Sequence, residues 1–513
     1  MTGPAPAARA TETYPWSPAA RLAGGVRVSP AQRATALAVR PSSAPRAAWA
    51  TPVPRARTEA ALRFARAGRP AALALLCALL RHPTVSAAPA HRPDLRSCAG
   101  RLAAHLRRIG LDAVTVRPGR VAPVVTARWL HRPGAPVVLV YGHYDVQPAG
   151  PRDAWATDPF RPVVDGTHVY ARGATDDKGQ LTAHLAAIEA WLATGGPPVN
   201  LRVVLDGEEE IGSPTLRQAL ERDPAYLRAG LAVVSDTRMR DASTPVLVSG
   251  LRGSLAARVE VTGPGTDLHA GAFGGAVAEP AQVLCALVAS LHDPDGRIAV
   301  PGFYDDVRPP HPAERARLAR DGPSAGALLA PTGVSLGHGE PGYSAFERTT
   351  IRPAIVVTAL SGAARSAIPA RAAADLSVRV VPGQQPGVVA RALRAHLAER
   401  TPRGVRARLS VLADCPPYAL TPDGPGLPAV DHACRRVFGR PPLLLPSGGS
   451  IPFVSELAAT TGTQTLLLGF GLPDDGMHAP NERFPLRNLH RGTEACIELY
   501  AALAGAPLRG EGR

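Results

Sequence analysis

Lysine is almost missing from this chain. Of 57 basic residues, 56 are Arg and one, Lys178, is Lys. So strong a bias makes the net charge of +15 a poor guide to nucleic-acid binding. Residues 1–60 hold eight Arg and two Glu, so +6 of the charge sits in that leading segment. No basic stripe interleaved with aromatics follows, and the excess reads as a solvated Arg-rich surface without a nucleic-acid partner. Aromatics make up only 4% of the residues, so the core has to be built from Ala, Val and Leu. The six Cys (77, 98, 285, 415, 434 and 496) include no Cys-x-x-Cys pair. Neither a disulfide framework nor a thiolate zinc site is indicated, and reduced thiols suit a cytoplasmic protein. Long apolar runs are also missing. The N-terminus lacks a secretory h-region, and Ala71–Leu80 is too short to span a membrane.

With 513 residues the chain is long enough for two or more domains. Residues 1–55, rich in Pro, Ala and Arg, read as a disordered extension. The spacing then predicts helices over Glu59–Leu80 and Arg96–Ile109. Strands follow at Val121–Trp129 and Pro136–Tyr141, a helix at Gln180–Leu192, a strand at Val199–Leu205, a helix at Ser213–Glu221 and a strand at Leu231–Ser235. Such alternation indicates an α/β sheet covered on both faces. Near Gly250 the pattern becomes strand-helix-strand-strand-helix-strand, with a Pro/Gly-rich stretch at Val300–Gly342, as in a small α+β domain. After Pro416 the α/β pattern resumes. The expected organisation is a catalytic domain in two parts, 56–249 and 417–513, interrupted by an inserted β-α-β-β-α-β domain at 250–416.

Ligands of open α/β sheets gather beyond the carboxyl ends of the strands. Here those ends carry His143 and Asp145, Asp176, Glu209 and Glu210, Asp236, and His478. Several strand ends offering imidazole or carboxylate is what a metal cluster requires. Nitrogen and oxygen donors without thiolate suit zinc, manganese or cobalt, whereas an all-oxygen shell would suit magnesium or calcium. Lys178 lies inside one of these pieces, Thr175-Asp176-Asp177-Lys178-Gly179. A compact ammonium is not interchangeable with a guanidinium fork, so chemistry has resisted the Arg bias at that position.

Gly142-His143-Tyr144-Asp145-Val146-Gln147-Pro148, Thr175-Asp176-Asp177-Lys178-Gly179 and Glu208-Glu209-Glu210-Ile211-Gly212-Ser213 together resemble the co-catalytic zinc metallopeptidases. That family includes carnosine and cytosolic dipeptidases, glutamate carboxypeptidase, aminoacylase, acetylornithine deacetylase and succinyl-diaminopimelate desuccinylase. The likeness covers roughly residues 60–505, and the first two motifs are closest to the dipeptidase branch. It implies a three-layer α/β catalytic domain with a mixed central sheet and an inserted α+β lid and dimerisation domain. It also implies two divalent ions, zinc first and manganese or cobalt as alternatives. His143 and Asp236 are then ligands to one, Glu210 and His478 to the other, with Asp176 bridging both and a cis peptide after it. Asp145 is implied to orient His143, and Glu209 to be the general base. His269 is implied to donate to the oxyanion in the site of a partner subunit, which makes a homodimer the working form. Arg379, Ser366 and Ser450 are implied to bind substrate, Arg379 through its terminal carboxylate. The family often has Arg-Glu before Gly-Gly-Ser, and this chain has Pro446-Ser447, so the substrate's shape or charge can differ from an ordinary dipeptide.

The expected activity is hydrolysis of the peptide bond of dipeptides or short peptides. An N-acyl or N-carbamoyl amino acid amidohydrolase using the same site is the alternative. A catalytically silent scaffold would require a missing ligand or base, and none is missing.

Overall fold

The computed structural model describes residues 53–362 and 367–506. Most of the expected N-terminal extension (residues 1–52) and the substrate candidate Ser366 lie outside the described residues. Arg55, placed by the sequence reading at the end of that extension, opens a helix instead. The single helix expected over Glu59–Leu80 is two, Arg55–Ala67 and Arg69–Leu80. Gly68 separates them, and Pro70 at the start of the second leaves no N–H to continue the first.

The main sheet has six strands in the order Asp112–Arg117, Val124–Trp129, Asn200–Asp206, Val137–His143, Leu231–Val234, Thr465–Leu467. The last four run parallel, and the first two add an antiparallel edge. Every residue of Val137–His143 is buried, so both faces of the sheet are covered there. The all-apolar sequence Val137-Val138-Leu139-Val140 follows from this, since a strand covered on both faces need not alternate. The helix Lys178–Ala193 packs on Val137–His143 of this sheet, and Arg55–Ala67, Arg69–Leu80 and Leu486–Leu503 pack against that helix.

A second sheet is antiparallel throughout, in the order Ala354–Ser361, Arg371–Val380, Gly253–Thr262, Arg406–Cys415. Gly253–Thr262 alternates strictly, turning Leu255, Ala257, Val259 and Val261 inward onto the helices Pro280–Ala289 and Pro386–Arg400. Each Leu or Val among them gains roughly 1.5–3 kcal/mol on leaving water, enough for this sheet to have an apolar core of its own. Its outer face is polar in the middle, where Arg258 forks onto Asp375 at 2.7 and 2.8 Å. The edge strand is different, with Val356 and Leu360 exposed at 53% and 62%. The Pro/Gly-rich stretch before it contains the helix Pro312–Asp321, whose Leu318 reaches the main core. Among the described residues, no helix is long and apolar enough to cross a membrane.

Candidate metal centre

The parallel strands end within two residues of one another. His143 stands opposite Asp206, and Tyr141 opposite Val234. His143 is therefore the last residue of its strand, not the first of a loop, and it is fully buried. Its Nε2 lies 3.0 Å from Asp176 Oδ1 and 3.9 Å from Asp236 Oδ2. Asp176 Oδ2 lies 2.8 Å from His478 Nε2, which is 3.6 Å from Glu210 Oε2. Ligand atoms of His143, Asp176 and Asp236 all fall within 4.8 Å of one another, as do those of Asp176, Glu210 and His478. The fold thus gathers five residues, spread over 336 positions of sequence (143 to 478, inclusive), into two triads that share Asp176. His478 has φ +63°, a left-handed backbone uncommon outside Gly. Its side chain is 54% exposed, so the cluster opens to solvent on that side.

Asp145 is buried and oriented from both directions. Its carboxylate accepts the backbone N–H of Glu209 and of Glu210, each at 3.1 Å, and lies 3.3 Å from His143 Nδ1. The backbone carbonyl of Asp145 also faces His143 Nδ1, at 3.1 Å, so this residue fixes both the imidazole and the short 3-10 turn Glu209–Ile211. The peptide Asp176–Asp177 is cis. Asp177 turns away from the triads and accepts the N–H of His143 at 3.3 Å.

The charges are out of balance. Burial and the neighbouring Asp176 push Glu210 up to about 8. Burial drives Asp177 to about 8 as well, and lifts Asp236 and Glu209 well above the ordinary carboxyl range. Burial also acts against Asp176, but hydrogen bonds from His143 and His478 outweigh it and hold this carboxyl low. Burial would lower His143, yet Asp145 and Asp176 raise it well above the usual imidazole value. So many buried carboxylates facing two imidazoles lack positive charge. Glu210 Oε1 is buried without a hydrogen-bond partner. The donors are nitrogen and oxygen, with no thiolate. A divalent cation supplies the charge and the coordination this set lacks, so the residues fit one.

Three supporting residues were not legible in the sequence. Glu208, the first of the three adjacent glutamates, faces away and accepts the N–H groups of Val121, Ala122 and Thr215 at 2.6–3.0 Å. Asp206 is buried and accepts from Ser213 Oγ at 2.6 Å, and burial raises it to about 7. Glu482 binds Arg172 at 2.7 Å and accepts the N–H groups of Gly173, Thr175 and Asp176. It shapes the turn that presents Asp176 from some 300 residues away, beyond the reach of any local pattern. His184, on the helix Lys178–Ala193, is buried. Ser235 Oγ donates to Leu468 O at 2.7 Å. The hydroxyl's single hydrogen is thus committed, so His184 Nε2 donates to Ser235 at 2.8 Å and Nδ1 accepts from Tyr500 OH. This neutral imidazole holds the strand end next to Asp236.

Of the substrate candidates, the structure brings Arg379 and Ser450 together, with Nη1 3.5 Å from Oγ. Where the family's Arg-Glu pair is absent, Arg252 Nε donates to Gly448 O at 3.1 Å and Ser447 Oγ accepts the N–H of Gly449. His269 stands apart, exposed on the two-residue strand Leu268–His269 that pairs with Ala367–Ile368. Among the described residues no hydrogen bond or ion pair joins it to the triads.

Residues 139–502 match the model of peptidase family M20/M25/M40. The chain is 31% identical over 414 residues to the Cys-Gly metallodipeptidase dug1 of Schizosaccharomyces pombe, covering 78% of this chain and 87% of that protein. It is 30% identical to the Beta-Ala-His dipeptidase of Rattus norvegicus, over 74% of this chain and 80% of that protein. Among solved structures, the di-peptidase Dug1p of Saccharomyces cerevisiae superimposes with a TM-score of 0.75 at 28% identity, covering 88% of this chain and 99% of that one. Human carnosine dipeptidase 1 gives a TM-score of 0.74 at 27% identity, covering 88% of this chain and all of the other.

Proposed function

The chain belongs to peptidase family M20/M25/M40, and from that premise we propose that it hydrolyses the peptide bond of dipeptides with two divalent ions, zinc before manganese or cobalt. The observation that carries this reading is the pair of triads sharing Asp176, with Glu209 beside Glu210 on a turn fixed by Asp145. His143, Asp176 and Asp236 would hold one ion, and Asp176, Glu210 and His478 the other. Ions held there supply Lewis acidity and bring the pKa of water toward neutrality.

The remaining work falls to the protein. Glu209 takes the proton of the attacking water on a carboxylate oxygen and hands it to the leaving amine nitrogen. Arg379 and Ser450 hold the substrate's terminal carboxylate, the guanidinium through a charge-assisted fork. His269, contributed by a second copy of the chain, donates to the carbonyl oxygen as negative charge develops on it. The residues from about 250 to 416 act as a lid and a dimerisation module. The exposed Val356 and Leu360 on the sheet edge supply an apolar surface for a second copy to cover.

The test is turnover of dipeptides, with N-acyl amino acids in parallel, by protein loaded with zinc or manganese, before and after chelation. Dipeptide hydrolysis that vanishes on chelation and returns with metal is the expected result. Full activity after metal removal would overturn the reading, and turnover of N-acyl amino acids alone would move the substrate class.

A further inference from the structure

Lys178 is the one lysine of the chain, and its ammonium is fully buried. It begins the helix Lys178–Ala193, where a positive charge opposes the helix dipole. The side chain turns instead to the end of another helix. Nζ donates to Leu79 O at 3.1 Å and His82 O at 2.9 Å, just where Arg69–Leu80 stops. There a cation is favoured and the last carbonyls need donors.

The same short segment is bonded at its other end to the loop after His143. Thr84 Oγ1 donates to Tyr144 O at 2.6 Å, and Val146 N donates to Thr84 O at 2.9 Å. Val85 and Val146 form a parallel bridge. Tyr144 and Val146 flank Asp145, while Lys178 lies two residues past Asp176. Leu79–Val85 therefore spans the loop bearing His143 and Asp145 and the turn bearing Asp176.

Gly173 lies beside the side chain. A Cβ on Gly173 would lie 3.4 Å from Lys178 Cδ and 2.6 Å from Val146 Cγ1. A planar guanidinium is wider than an ammonium and presents five donors where two carbonyls accept. That explains why Lys persists here in a chain that uses Arg at every other basic position.

We propose that Lys178 is a positioning residue of the hydrolytic site: it ties the Asp176 turn to Leu79–Val85, and so sets its separation from the His143 loop. This rests on the dipeptidase reading above.

The test compares the full-length wild type with Lys178→Met, Lys178→Arg, Thr84→Val and the double variant Thr84→Val/Lys178→Met. Three quantities are measured: cobalt(II) affinity from visible absorption, kcat and KM for a dipeptide, and thermal unfolding. Both Lys178 variants should bind cobalt about 10- to 100-fold more weakly and lose kcat by a similar factor, as when other residues supporting metal ligands are removed. KM should change little. The double variant should lose less than the product of the single losses, because both changes break one brace. Lower melting temperatures with wild-type cobalt affinity and kcat would overturn the proposal, as would losses that simply multiply. If Lys178→Met does not fold, unchanged cobalt affinity and kcat in both Lys178→Arg and Thr84→Val overturn it equally. A wild type that neither binds cobalt nor cleaves dipeptides would instead sink the dipeptidase reading.

Discussion

Replacing Asp145 with Asn changes a carboxylate into an isosteric amide at the point where three site elements meet. The native carboxylate accepts two backbone N–H groups, from Glu209 and Glu210, and lies 3.3 Å from His143 Nδ1. An amide retains one acceptor oxygen and sets an NH₂ group against whichever N–H faces its other end. At least one hydrogen bond to a charged acceptor is lost, worth roughly 1.5–3 kcal/mol. At 1.4 kcal/mol per decade that is about 10- to 100-fold. The loss falls on the turn that carries both a candidate ligand and the candidate base, so metal affinity and turnover should decline together. Zinc affinity is read by calorimetric titration, and kcat/KM by dipeptide hydrolysis at saturating zinc. A variant matching wild type in both would refute the orienting role of Asp145.

Glu209→Gln should retain its full metal content and lose roughly 10²- to 10⁴-fold in kcat, the usual contribution of a positioned base; metal analysis and steady-state kinetics check both halves. Asp176→Ala should lose both ions, because the two triads share that carboxylate, and a variant that still holds two would break the shared-ligand geometry. His269→Ala should leave metal content and dimerisation intact while slowing turnover about 10²- to 10³-fold, as for loss of one oxyanion donor; unaltered kcat would remove it from the site. The buried His184 is depressed to about 4 by desolvation. The unfolded chain then binds the extra proton first, so its contribution to stability is present above about pH 6.5 and fades as the pH falls toward 4, on the order of 3 kcal/mol in all. Melting curves of wild type and His184→Leu across that range should converge at low pH; parallel curves would refute the assignment.

Elements with a strong local signal were legible in the sequence. The all-apolar run at Val137–Val140 and the alternation at Gly253–Thr262 carry their own signal, and the first strand lies within two residues of the expected Pro136–Tyr141. Asp112–Arg117 is mostly exposed and mixes Asp, Thr and Arg with apolar residues, so it carries no clear strand pattern. The helix Leu486–Leu503 follows a strand of only three residues, Arg483–Pro485, and has no capping residue to mark its start, so its signal lies only in the spacing of Leu489, Cys496, Leu499, Tyr500 and Leu503. Residues of the candidate site could be named because they stand in short motifs at or just beyond strand ends, or, for Asp176, in the turn before a helix. Their supports could not. Glu482 meets Arg172 and the Asp176 turn only through tertiary packing, and Glu208 differs from Glu209 only in which way a buried side chain turns. Local pattern reveals which residue types stand at a strand end; packing decides which of three adjacent glutamates faces inward.

A crystal of the zinc-loaded protein, with diffraction recorded on either side of the zinc edge, tests the site most directly. Two anomalous peaks per chain are expected, one against His143, Asp176 and Asp236 and the other against Asp176, Glu210 and His478. A map with no peak between these side chains, or with zinc bound only elsewhere on the protein, would contradict it.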